Sequence, residues 1–193
     1  MNTLLLVSLL VSSILTGSNP NQMQVNMTSS EEPKTSVNAT FEEQQEAILQ
    51  FINVDVARVS SYEMEAFDSL ARVSGENYTD DETMYLELVE NTIPAYEKAL
   101  AEAQNIEVQG KELEEMKKRL LEATGTFYEA LLLQKQALEQ QSKELMNQSN
   151  LKLDEYFQLV DTYHLELELL SKEYEVKYEK NSEKTEESDE GFM

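Results

Sequence analysis

Few side chains in this 193-residue sequence are equipped for chemistry. There is one histidine, His164, and there is neither cysteine nor tryptophan. Without a thiol there can be no disulfide framework, thiol nucleophile, zinc ribbon, iron–sulfur cluster or thioester-linked lipid. A single imidazole excludes a metal site built on several histidines and a two-histidine relay. His164 lies at helical spacing between Val160 and Leu167, which places it on an inward stripe, beside a polar layer that would include Gln134 and Thr124. A pH-sensitive element or a metal ligand is one reading of it. A histidine satisfied at the edge of a core is the preferred one, because metal and acid–base sites need partners at defined spacing. Asp161-Thr-Tyr-His164 echoes the Glu-x-x-His motif of di-iron bundles, but that architecture requires a second copy, and the chain has no second histidine.

The carboxylates give no clearer site. Glu42 and Glu43, Glu112, Glu114 and Glu115, and Glu166 and Glu168 stand close enough in sequence to pair as catalytic acids or to bind calcium. None has EF-hand spacing, and periodicity puts them on solvated helix faces, where nothing shifts a carboxyl toward acid–base work. In the basic cluster Lys117-Lys118-Arg119, Glu114 and Glu115 stand one turn earlier, so i,i+4 pairing should neutralise it. The tyrosines number nine; at inward helical positions they are expected as core residues with hydroxyls reaching the rim. Asn-x-Ser/Thr sequons at Asn26, Asn38, Asn77 and Asn147 matter only in a eukaryotic source. These residues predict no catalytic site, no metal and no cofactor.

The elements that must position these groups are long helices. Glycine and proline are scarce, five and three residues, while 40% of the chain is hydrophobic. From Phe41, Ile48, Ile52, Val56, Val59, Tyr62, Ala66, Leu70 and Val73 recur at spacings of three and four, with Ser74-Gly75 as the stop. Thr79-Asp80-Asp81-Glu82 reads as a capping box, Thr79 at the N-cap and Glu82 at N3. Tyr85, Leu88, Thr92, Tyr96, Leu100 and Ala103 form the second stripe, which Pro94 should kink near Asn91. A third stripe runs Leu113, Met116, Leu120, Thr124, Phe127, Leu131, Gln134 and Leu138. The fourth runs Leu153, Phe157, Val160, His164, Leu167, Leu170, Tyr174 and Tyr178. Neither glycine nor proline separates the last two. Length matching nevertheless calls for a break within 141–150, with Asn147-Gln148-Ser149-Asn150 the most turn-prone stretch. The expected fold is all-α: an antiparallel four-helix bundle of long helices with coiled-coil-like packing. The stripes leave open whether all four helices come from one chain, so self-association is an alternative.

The flanks read differently. Residues 3–15 are an uncharged apolar run, too short to span a bilayer and matching the core of a signal peptide. Thr16 and Ser18 supply the small residues for cleavage between Ser18 and Asn19; an uncleaved anchor is the alternative. No Lys or Arg precedes the run, which is unusual for a signal peptide. Residues 19–40 read as a polar spacer and 179–193 as a disordered acidic tail.

Val73-Ser-Gly-Glu-Asn-Tyr-Thr-Asp-Asp-Glu-Thr-Met-Tyr85, Thr92-Ile-Pro-Ala-Tyr-Glu97 and Asn150-Leu-Lys-Leu-Asp-Glu-Tyr156 together resemble uncharacterised exported helical lipoproteins of Gram-positive bacteria. The resemblance covers about residues 41–178 and implies a helical domain at the outer face of the cytoplasmic membrane. It brings no established activity. Leu15-Thr16-Gly17 matches the start of a lipobox, but Ser18 stands where the lipidated cysteine belongs, which removes the thioether anchor.

Net charge completes the reading. The chain carries 38 Asp+Glu against 15 Lys+Arg, a formal −23, and 30 of those acids against 12 of those bases fall in 41–178. Nucleic acid is therefore a poor partner, since binding it relies on Lys and Arg neutralising phosphates. A charged partner should be cationic, bound in a salt-sensitive way. The expected function is that of a non-enzymatic, exported binding or accessory protein of the cell envelope. The alternative is a carrier of a small ligand or metal inside the bundle near His164.

Overall fold

The computed structural model describes residues 39–178, which are all-helical, with 86% of them in helix and no strand. The cleavage position at Ser18 and Asn19, the apolar run 3–15, most of the spacer and the acidic tail lie outside the described residues.

Four rods follow one another. Rod α1, residues 41–71, consists of the α-helix Phe41–Gln50, the π-helical segment Phe51–Val56 and the α-helix Ala57–Ala71. A capping box starts it. Thr40 Oγ1 accepts the Glu43 amide at 3.3 Å, and Glu43 Oε2 accepts the Thr40 amide at 2.7 Å, so each side chain satisfies the other residue's otherwise orphaned amide. All the apolar positions expected inward on this rod are buried except Tyr62, which is half-buried. The extra residue of the π turn shifts the register, so Phe51 and Ile52 are buried side by side. The helix ends at Ala71, and Gly75, at φ +59°, opens the 3-10 turn Gly75–Asn77.

Rod α2, residues 81–105, repeats the device: α-helix Asp81–Glu87, π turn Leu88–Thr92, α-helix Ile93–Asn105. Its cap differs from the expected one. Asp80, not Thr79, is the N-cap, accepting the Thr83 amide at 2.8 Å and the Thr83 hydroxyl at 3.0 Å. A carboxylate at the positive end of the helix makes the stronger, charge-assisted bond, and the start moves one residue. The interruption expected before Pro94 is the π turn itself, which lies where proline lacks an N–H and crowds the preceding turn. Beyond it the inward stripe passes through Ala99 rather than Leu100, which is only half-buried.

Rod α3 is Lys111–Gln140 and rod α4 is Lys143–Glu173. The break between them falls at Gln141, left-handed at φ 50°, followed by Ser142 as N-cap. Asn147-Gln148-Ser149-Asn150 is not the turn: all four residues are inside α4, and Ser149 Oγ donates to Ala130 O at 2.8 Å. The break is closed by backbone bonds instead, chiefly Ser142 N–H to Ala137 O at 2.9 Å, a pattern that satisfies the last carbonyls of a helix whatever the side chains.

One aromatic ring from each rod meets in the middle of the core. Phe67 of α1, Tyr96 of α2, Phe127 of α3 and Tyr156 of α4 have ring centroids 4.7–6.4 Å apart in five of their six pairings. Such offset and edge contacts contribute about 0.5–1.5 kcal/mol per pair beyond the area they bury. On α4 Tyr156, Val160, Tyr163, His164 and Leu167 are buried, whereas Leu153 and Phe157, expected inward, are half-buried. Lys117 joins α3 to the end of α2 by donating to Gln104 O and Ile106 O, so it caps carbonyls rather than pairing with a neighbouring glutamate. Arg119 pairs with Glu166 on α4 rather than with Glu115.

Candidate functional site

The four-ring cluster adjoins a group that the sequence reading passed over. Glu63 sits on the inward face of α1, four residues after Val59 and three before Ala66, and is completely buried. The Tyr96 hydroxyl donates to its Oε1 at 2.9 Å, while its Oε2 has no protein partner. Burial penalises the anion and pushes this carboxyl up to about 8 from an ordinary 4.5; the hydrogen bond from Tyr96 opposes the shift and is outweighed. The acid is thus held protonated at neutral pH. Tyr96, Tyr156 and Tyr163 are equally buried and electrostatically coupled to Glu63, and burial raises all three phenols well above their usual range. The hydroxyls of Tyr156 and Tyr163 have no protein partner either. These three tyrosines therefore depart from the expectation that their hydroxyls reach the rim. Tyr85 and Tyr128 meet it, donating to Glu139 at 2.8 Å and Glu97 at 2.7 Å.

A second carboxylate behaves in the opposite way. Glu87, at the start of the π turn of α2, accepts from Ser69 Oγ at 2.7 Å, Arg72 at 2.7 Å and Asn91 at 2.8 Å. These bonds, that from Ser69 foremost, hold it below the ordinary glutamate value. Ser69 and Thr92 are also within 2.7 Å of each other. The network ties the π turn to α1, so a break in the helical ladder is compensated by polar contacts across two rods.

His164 is buried, as its spacing predicts. Its partner is the Tyr178 hydroxyl, bonded to Nδ1, with the two rings stacked. The chain beyond α4 reaches this position by turning at Glu175, φ 54°, and closing a bond from the Val176 amide to Ser171 O at 2.8 Å. The expected polar layer does not form: Gln134 donates toward Met84 Sδ at 3.8 Å, and Thr124 bonds back to Leu120 O at 2.9 Å. Glu42, Glu43, Glu112, Glu114, Glu115 and Glu168 are exposed and Glu166 is half-buried. Among the described residues, no three His, Asp or Glu side chains converge as metal ligands, and no helix is long and apolar enough to cross a membrane. Of the sequons, Asn77 donates to Ala71 O at 2.9 Å and Asn147 is helical; Asn26 and Asn38 lie outside the described residues.

A groove of about 760 Å³ lies where the starts of α1 and α3 approach Tyr174. Its floor is Ala47, Ile48 and Leu113, and its rim carries Glu43, Lys111 and Glu112. It is not at His164, the place of the alternative carrier reading. Compared with protein-family models, curated proteins and solved structures, the chain matches none.

Proposed function

We propose that this chain is an exported, non-enzymatic helical-bundle protein of a bacterial cell envelope that acts as a binding or accessory module. In this reading the four rods run up-down-up-down as an antiparallel bundle with coiled-coil-like packing, bent in its second rod at Pro94. The pairs Arg119–Glu166 and Lys152–Glu129 support it, because they match rising positions on α3 with falling positions on α4. The signal-like segment directs the chain out of the cytoplasm of a Gram-positive cell. There it is either cleaved between Ser18 and Asn19 and released, or held at the outer face of the membrane by the uncleaved segment. It has no affinity for nucleic acid, and its charged partner is cationic.

The observation that carries the reading is the interior itself. Four aromatic rings, one from each rod, occupy the space in which a carrier would hold its cargo, and His164 is engaged by Tyr178. Recognition then belongs to the outside of the bundle, where the acidic side chains are.

The test is fractionation of cells expressing the full chain, with N-terminal sequencing of the product, followed by affinity capture from envelope extract at low and high salt. The expected result is a chain outside the cytosol that begins at Asn19 or retains Met1, and a captured partner released by salt. Intact chain confined to the cytosol overturns the reading.

A further inference from the structure

The outer face of α4 has an organisation that packing does not require. Leu151, Leu165 and Leu169 are 67%, 59% and 58% exposed, and no other large apolar side chain among the described residues exceeds 47%. The three do not lie at scattered positions. Spacings of 14 and 4 put them on one line of the helix at 100° per residue, opposite the buried Tyr156, Val160, Tyr163 and Leu167. Gln158 and Thr162, also exposed, continue the line between them. Singly exposed leucines are ordinary on a protein surface; the three most exposed ones aligned on one uncharged ridge are not.

Charge flanks the ridge on both sides. Asp154, Asp161 and Glu168 border one edge and Glu155, Glu166 and Glu173 the other, against Lys152 and Lys172 on the same helix. Glu155 is paired with Lys152, Glu168 with Lys172 and Glu166 with Arg119, and six acids against these three cations still leave the surface around the ridge negative. An apolar line between acidic edges is complementary to a helix with a leucine-like stripe and basic flanks. A second copy of this chain would set like edges against each other, and an anionic lipid surface would be repelled.

We propose that the outer line of α4, Leu151 to Leu169, is a docking surface for a basic amphipathic helix of a partner protein. This rests on the binding-module reading and specifies where and what it binds. Apolar contact supplies the affinity, while the acidic edges select the partner and set its register.

The full chain is titrated with a three-heptad helical peptide carrying leucine along one stripe and lysine beside it, and with a counterpart carrying glutamate in place of lysine. Analytical ultracentrifugation and flotation with anionic vesicles run in parallel. The lysine peptide is expected to bind and the glutamate peptide to fail, with L165E/L169E weakening the lysine peptide by about tenfold or more. That variant adds two negative charges, so attraction by charge alone would strengthen instead. Leu86→Glu, on α2, should leave binding unchanged, and all variants should keep the wild-type circular dichroism. Equal binding of both peptides, or full binding by L165E/L169E, overturns the proposal. So does a dimer or a vesicle association that L165E/L169E abolishes, because it assigns the ridge another occupant. None of these results bears on export, and a salt-released envelope partner still captured by L165E/L169E would leave the binding-module reading intact while removing the ridge.

Discussion

The Tyr96 hydroxyl donates to Glu63 Oε1 across 2.9 Å and so joins α2 to α1 through a carboxyl with no access to water. One oxygen of that carboxyl is satisfied and the other has no protein partner. Such a group is stable in a core only as the neutral acid, and this makes the stability of the whole helical core a function of pH.

The sign follows from linkage. Glu63 titrates near 4.5 when unfolded and near 8 when folded, so between these values the folded chain holds the extra proton and stability falls as pH rises. Its contribution is complete below pH 4.5 and gone above about 8, with a slope near 1.4 kcal/mol per pH unit between. Tyr96, Tyr156 and Tyr163, which face the group, stay neutral throughout this window. Urea unfolding at pH 5, 6, 7 and 8 should show that slope in the wild type and lose it in Glu63→Gln. An unchanged slope in Glu63→Gln would refute the assignment.

Tyr96→Phe keeps the ring among Phe67 and Phe127 but leaves Glu63 Oε1 without a donor. The expected loss is about 1–3 kcal/mol at pH 5, from an unpaired buried oxygen. Because the bond lowers the Glu63 value, its removal should also carry the pH-dependent decline to higher pH. Denaturant titration of both variants and of the double variant measures the coupling directly.

Glu87 should act in the other direction. Held below the ordinary value by Ser69, Arg72 and Asn91, it contributes stability above the unfolded value, and that contribution is lost as acid protonates it. Carboxyl-resolved NMR titration should find Glu87 below the ordinary 4.5 and Glu63 far above it. Ser69→Ala, which removes the leading donor, should bring Glu87 back toward 4.5.

The two candidates for the cap of α2 are separable. Asp80→Ala removes the acceptor for the Thr83 amide and should lower the melting temperature by a few degrees, whereas Thr79→Ala should leave it close to wild type. Equal effects of the two would contradict the Asp80 cap.

At the break between α3 and α4, Gln141 adopts φ 50°, a conformation that favours glycine. Gln141→Gly should raise stability by roughly 0.5–1 kcal/mol, read from the midpoint of chemical denaturation, and Gln141→Val should lower it.

Helix content, four stripes and the absence of thiol or multi-histidine chemistry were legible in the residues themselves, because periodicity and composition are local properties. The fate of individual polar groups was not. Glu63 lies on the inward stripe, four residues after Val59, yet a charged residue at that spacing is ordinarily turned outward, and only the approach of Tyr96 from another rod makes it tolerable. The two π turns likewise have no local signature apart from Pro94, and they shift the register so that Phe51 and Ile52 are buried together and Ala99 instead of Leu100 lies inward. The break falls within 141–150 as expected, but at Gln141 rather than in Asn147-Gln148-Ser149-Asn150, because it depends on backbone bonds to Ala137 and on the hydrogen bond of Ser149 to Ala130, not on turn-forming side chains. Sequence determined that this chain is an acidic set of amphipathic helices. Tertiary contact decided which carboxyl keeps its proton, which rings meet and which leucines are left on the outside, since each of these depends on residues brought together from separate rods.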